Sequence, residues 1–322
     1  MRPRIVMLLA FVIAAVAVGF TGARFTYLPA TPPAVHATLP AAPASYLGVF
    51  ENGSPPSYGP IAEFSRAAGA EPNLIGYFSG WAQPFATSFA DSMHSHGVIP
   101  FVQIDPTLAS ISGIADGAYD GYLSQYAESV RSFGHAVVIG FGHEMNGYWY
   151  SWGYHKVAPS TFVAAWRHIV DVFNKEGAGN VIWLWTVQAD EPGTGPISAW
   201  WPGSKYVKWV GIDGYYSTPT DSFAKVFAKT IDQVRTFTKK PILLSETAVE
   251  RSPNVFPNIV NLFDGMAHYN TLGLVWFDKN QTGQTTPPGT PHKDWRIEDS
   301  SLAQLAFRNG VHQLTLASTG PQ

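Results

Sequence analysis

Short apolar runs alternate with amphipathic segments along most of this chain. The runs are Tyr46–Phe50, Leu74–Phe78, Val98–Gln103, Val137–Phe141, Val181–Trp185, Trp209–Ile212, Ile242–Leu244 and Leu272–Phe277. Between them, apolar residues recur at helical spacing. Phe162, Val163, Trp166, Ile169, Val170 and Phe173 form one such stripe, and Phe223, Phe227, Ile231 and Val234 another. Similar segments span Ile61–Ala68, Phe85–His96, Tyr119–Phe133, Pro257–His268 and Ser300–Asn309. The fifth run is followed instead by a long loop with Pro192, Gly193, Gly195 and the pair Trp200-Trp201. Because the runs are apolar throughout, they predict parallel strands buried on both faces. Eight strand–helix units in one domain predict an α/β fold, a single (β/α)8 barrel. An open doubly wound sheet would show a glycine-rich first turn, and Glu51-Asn52-Gly53-Ser54 is no such turn.

The first residues follow a different pattern. Arg2 and Arg4 precede an uncharged apolar run, Ile5 to Phe20, which reads as an export signal. As a helix it spans roughly 24 Å, short of the ~30 Å hydrocarbon core, and adding Thr21-Gly22-Ala23 nearly closes the gap. A cleaved signal peptide and an uncleaved membrane anchor both fit residues 1–23, and both place the remainder outside the cytoplasmic membrane. Residues 24–45, rich in Pro and Ala, read as an extended linker. The barrel is expected over 46–312, with 313–322 as a tail.

Composition narrows the partners. Charged residues are 13% of the chain and the net charge is −3, with no basic stripe, so nucleic acid is not an expected partner. The 14% aromatic content suits a neutral ligand, and equally a large core. The absence of cysteine removes disulfides, thiolate metal sites and cysteine nucleophiles. His143 stands in His-Glu-Met-Asn-Gly, without the second His of a zinc-binding helix, so neither a metal nor a cofactor is expected.

Barrel chemistry sits at the C-terminal ends of the strands. Those positions offer Trp81 on the second, Gln103 and Asp105 on the third, and His143, Glu144 and Asn146 on the fourth. The sixth adds Asp213, Tyr215 and Tyr216, the seventh Ser245 and Glu246, and the eighth Trp276 and Asp278. Around Glu144 the stretch Gly140–Gly153 is crowded with Trp and Tyr. Aromatic faces stack on pyranose rings, and a carboxylic acid among them can protonate a glycosidic oxygen. Alone, Glu144 would read more readily as a structural carboxylate capping the next helix, and Ser245-Glu246-Thr247 is a weak signal. By residue type Trp276 is as much a core residue as a site residue, and Asp213 could simply accept backbone hydrogen bonds. Trp200 and Trp201 could bind distal sugars or pack their loop, Trp183 and Trp185 read as core, and Asp190-Glu191 as a solvated corner.

Taken together, His143-Glu144-Met145-Asn146-Gly147 with Trp149 and Trp152-Gly153, Gly211-Ile212-Asp213-Gly214-Tyr215, Ser245-Glu246-Thr247 and Trp276 resemble glycoside hydrolase family 26. The resemblance covers about Tyr46 to Asn309. It implies a retaining endo-β-glycanase, with Glu144 as general acid/base and Glu246 as nucleophile. His143 and Tyr215 would orient the carboxylates, and Trp149 and Trp276 would form sugar-stacking walls, with Asn146 and Asp213 also lining the substrate site. The substrate implied is β-1,4-mannan, with mixed-linkage β-glucan and β-1,3-xylan as alternatives. Gln103-Ile104-Asp105 and the loops after the fifth and eighth strands match no motif of the family's mannanases. A reading from another class is a non-catalytic polysaccharide-binding barrel in a glycan assembly system. Two intact glutamates argue against it.

Overall fold

The computed structural model describes residues 34–40, 45–281 and 293–318. The expected signal or anchor, residues 1–23, lies outside the described residues, as does most of the 24–45 segment. Eight strands form a closed barrel: β1 (Tyr46–Phe50), β2 (Leu74–Gly80), β3 (Ile99–Asp105), β4 (Val137–Phe141), β5 (Val181–Gln188), β6 (Trp209–Asp213), β7 (Ile242–Thr247) and β8 (Gly273–Phe277). Each strand is parallel to its sequence neighbours, and β8 closes on β1. This is the (β/α)8 barrel that the run pattern predicts. Nearly every strand residue is buried, because one face fills the barrel and the other meets the helices.

The helices are α1 (Tyr58–Ala68), α2 (Thr87–Ser95), α3 (Ile111–Ala115), α4 (Asp120–Phe133), α5 (Pro159–Lys175), α6 (Lys229–Phe237), α7 (Val255–His268) and α8 (Ser301–Val311). Helix α5 shows how the pattern becomes packing. Pro159 suits its first position, where a missing N–H costs nothing. Its buried stripe places Trp166 and Phe173 edge-on against Trp183 of β5, at 6.1 and 5.1 Å between ring centroids. Each such ring contributes roughly 1.5–3 kcal/mol of burial. After β5 the described residues hold a single 3-10 turn, Ile197–Trp200, where the other units have a helix. Trp200 is fully buried there, and Trp201 lies edge-on to Trp185, so the pair packs the loop onto the barrel.

Two features differ from the sequence pattern. Val35–His36 pairs in parallel with Ala178–Gly179, just before β5, and the Tyr46 hydroxyl donates to the Pro40 carbonyl at 2.7 Å. At the other end, Ala317 N–H donates to Ser45 O, and the Asn73 amide donates to Ala317 O. Parts of the expected linker and tail are therefore docked on the barrel. A two-residue strand among prolines carries no periodicity to read. Among the described residues no helix is long and apolar enough to cross a membrane.

Strand β7 carries an irregularity that bears on the site. Leu243 and Glu246 oppose Gly211 and Asp213 of β6, three steps against two, and the register with β8 slips in the same stretch. A bulge of this kind re-aims the side chains beside it, and it falls at the mouth of the barrel.

Candidate active site

Glu144 follows β4 in an unusual backbone state. Its φ is 53°, and Gly142 just before it has φ 54°. Left-handed backbone at a non-glycine residue costs about 1–3 kcal/mol and persists only where surroundings enforce it. Here the Glu144 N–H donates to the Thr186 carbonyl at 3.1 Å, hooking the turn onto β5. Asn146 makes a second hook. Its side chain donates to Gln188 O and accepts from Gln188 N–H, each at 2.9 Å. Asn146 is thus buried in a backbone clamp and does not line the substrate site, which corrects its expected role.

Past the clamp the chain folds back so that Trp149 Nε1 donates to Glu144 Oε2 at 2.7 Å. A Cβ at Gly147 would collide with the Trp149 indole, so only glycine permits this return. Trp149 remains 38% exposed, a ring at the mouth beside the carboxyl it touches. Tyr150 and Trp152 stack face to face at 4.3 Å, and Trp152 Nε1 donates to the His143 carbonyl.

A cavity of about 330 Å³ opens at this end of the barrel, lined by Phe78, Asp105, His143, Glu144, Tyr150, Tyr215, Glu246, Phe277 and Gln281. Glu144 and Glu246 thus enter one cavity from β4 and β7. His143 Nδ1 lies 3.0 Å from Asp105 Oδ1, and its Nε2 lies 3.1 Å from the Tyr150 hydroxyl. Burial alone would push the imidazolium down. The hydrogen bond and charge of Asp105, with Glu144 and Glu246, outweigh burial and raise it to about 10. As a cation, His143 donates from both ring nitrogens.

The two glutamates are held differently. Burial pushes Glu144 up to about 7, against the pull of His143. Glu246 is also raised by burial, while His143 and the Tyr215 hydroxyl, which donates to Oε2 at 2.6 Å, draw it back. The Tyr215 ring is braced by Trp295 at 5.0 Å and Phe277 at 5.8 Å. The cavity therefore contains one carboxyl able to carry a proton near neutral pH and a second carboxyl with a phenol donor. That is the equipment for protonating a leaving oxygen while attacking a carbon beside it.

Two further expectations need correcting. Trp276 is fully buried with its ring edge-on to Phe307 of α8 at 5.0 Å, and its Nε1 donates to Trp295 O. It faces the helix layer and cannot stack on a sugar; its strand neighbour Phe277 lines the cavity instead. Asp213 lies fully buried beneath the site, accepting from Ser245 Oγ at 2.5 Å. Burial, then the charges of Glu246 and Glu144, raise it well above its usual value. Asp105, Tyr150 and Phe78 are cavity residues to which sequence reasoning gave no role. Asp105 stood at a strand end and Tyr150 inside the aromatic run, so both signals were present.

Away from the cavity, Glu51, Asp278 and Glu298 bring carboxylate oxygens within 4.8 Å of one another. Burial raises Glu51 to about 7 and Asp278 well above its usual value.

The family model described as glycosyl hydrolase family 26 matches residues 79–266. Endoglucanase H of Acetivibrio thermocellus is 29% identical over 276 residues, covering 80% of this chain and 29% of that protein. Mannan endo-1,4-beta-mannosidase A and B of Caldalkalibacillus mannanilyticus is 30% identical over 98 residues, 27% of this chain and 18% of that protein. The chain thus spans under a third of the length of either relative. Among solved structures, a β-mannanase from Bacteroides ovatus superposes with a TM-score of 0.60 over 87% of this chain and 91% of that one, at 15% identity. That likeness is one of fold.

Proposed function

Because the chain belongs to glycosyl hydrolase family 26, we propose that it is a retaining endo-β-glycanase that hydrolyses β-1,4-mannan, with Glu144 as general acid/base and Glu246 as nucleophile. The observation that carries this reading is the sharing of one cavity by two carboxyl groups with opposite partners: an indole N–H and aromatic walls for Glu144, the Tyr215 phenol for Glu246. In the first step a Glu246 oxygen attacks the anomeric carbon while Glu144 delivers its proton to the departing glycosidic oxygen. In the second, Glu144, now a carboxylate, takes a proton from water, which displaces Glu246 and restores the first anomeric configuration. His143, charged between Asp105 and the two glutamates, stabilises negative charge as Glu144 gives up its proton. Trp149 and Phe277 offer ring faces and edges to the sugars on either side.

A second reading, β-glucan as substrate, is supported by the endoglucanase relative, whose similarity extends over 80% of this chain. Release of reducing ends from mannan, mixed-linkage β-glucan and β-1,3-xylan separates the readings. Release from mannan above the others supports the first, and release from β-glucan above mannan replaces it with the second. No release from any of them overturns the enzymatic reading in favour of a binding barrel. We also infer export, on the Arg-flanked apolar run Ile5–Phe20, with the enzyme secreted or held at the outer face of the cytoplasmic membrane.

A further inference from the structure

Lys279, two residues past β8, is absent from the chemistry above. Its ammonium lies 4.9 Å from the Phe277 ring centroid, 5.2 Å from that of Phe78 and 5.9 Å from that of Phe50. Phe78 and Phe277 are walls of the catalytic cavity, so the charge stands against the rim of the site. Among the described residues no carboxylate comes within ion-pairing distance of it. Its attraction is divided between Glu246 and Glu51. A half-buried ammonium with no ion-pair partner is costly, and three aromatic faces offset part of that cost. The fold thus maintains a positive charge beside the attacking carboxylate without letting the two join.

We propose that Lys279 is a positioning residue that keeps Glu246 ionised and free to attack. A direct salt bridge would occupy the oxygen that must reach the anomeric carbon; a charge that acts on the anion without pairing with it stabilises the anion and leaves the oxygen available. This account rests on the nucleophile assignment given to Glu246. The other groups facing Glu246 push in both directions. Glu144 and Asp105 oppose its ionisation, as would Asp213 if charged, whereas His143 and the Tyr215 hydroxyl favour it. Glu51 competes for Lys279. Without Lys279, His143 is the one remaining cation among the groups that face Glu246 here.

Carboxyl-carbon NMR of the full chain, labelled in glutamate and with the Glu246 signal assigned by its loss in Glu246→Gln, reads the ionisation without turnover. Lys279→Met keeps the stem among the rings and removes the charge. It should move the Glu246 midpoint up by roughly half a pH unit to one unit, and Lys279→Arg should return it. The acid limb of kcat/KM should move with it. An unchanged midpoint in Lys279→Met, or an equal rise in Lys279→Arg, overturns the proposal. So does a raised KM with an unmoved acid limb, which would make Lys279 a substrate contact. A chain inactive on every β-glycan that still shows the midpoint shift refutes the glycanase reading and leaves the electrostatic one standing.

Discussion

Glu144 shows how one residue's surroundings set both stability and activity. Its folded-state value of about 7 lies above its unfolded value of 4.5. The native state therefore binds more protons than the unfolded state between those two pH values, and stability falls as pH rises from 4.5 to 7. His143, raised from 6.5 to about 10, adds a decline in the same direction over that higher window. Glu144→Gln should abolish the first decline, on the order of 3 kcal/mol, as read from urea midpoints across pH. The same variant should cut polysaccharide cleavage by about 10²–10⁴-fold, yet still form the glycosyl-enzyme from substrates with good leaving groups; equal losses on both would remove its acid role. Trp149→Phe deletes the N–H donor that lowers Glu144. The alkaline limb of kcat should then move to higher pH.

Among elements, the turn after β4 and the bulge in β7 matter most. Asn146→Ala would leave the buried Gln188 N–H and C=O without partners, costing roughly 2–4 kcal/mol, and would free the Glu144 turn from β5. Activity should fall with stability, and crystallography of the variant would show whether the Glu144 backbone leaves φ 53°. Strand positions themselves were legible: all eight runs coincide with strands, because parallel strands covered on both sides need unbroken apolar sequence. The face each side chain takes was not legible. Trp276 and Phe277 are adjacent, and a step of one residue moves a side chain from helix layer to cavity. Strand-end position and the family resemblance pointed to Trp276. Trp276→Phe should therefore lower the melting temperature and leave KM unchanged; a raised KM would return Trp276 to the site. The bulge escapes sequence reading for a similar reason, since one extra residue in Leu-Leu-Ser-Glu-Thr has no signature of its own. Glu144, by contrast, was legible because His143, Gly147, Trp149 and Trp152 are close in sequence and the turn is local. The His143–Asp105 pair crosses between strands, so nothing short-range announces it.

For the whole molecule, the barrel separates stability from chemistry by end. The cavity lies at the C-terminal ends of the strands. The pairing of Val35–His36 with Ala178–Gly179, and of Ser45 with Leu316, lies at the N-terminal ends. A chain starting at Tyr46 loses both pairings and the Tyr46–Pro40 hydrogen bond, and should melt a few degrees lower with kcat unchanged; a changed kcat would mean the docked segment communicates with the site. The separation has a practical side. Residues 34 and 318 both lie at the base, so a support, a second catalytic module or a carbohydrate-binding module joined at either position projects away from the mouth. A polymer too large to diffuse through a gel could then still thread past Glu144 and Glu246 on an immobilised enzyme.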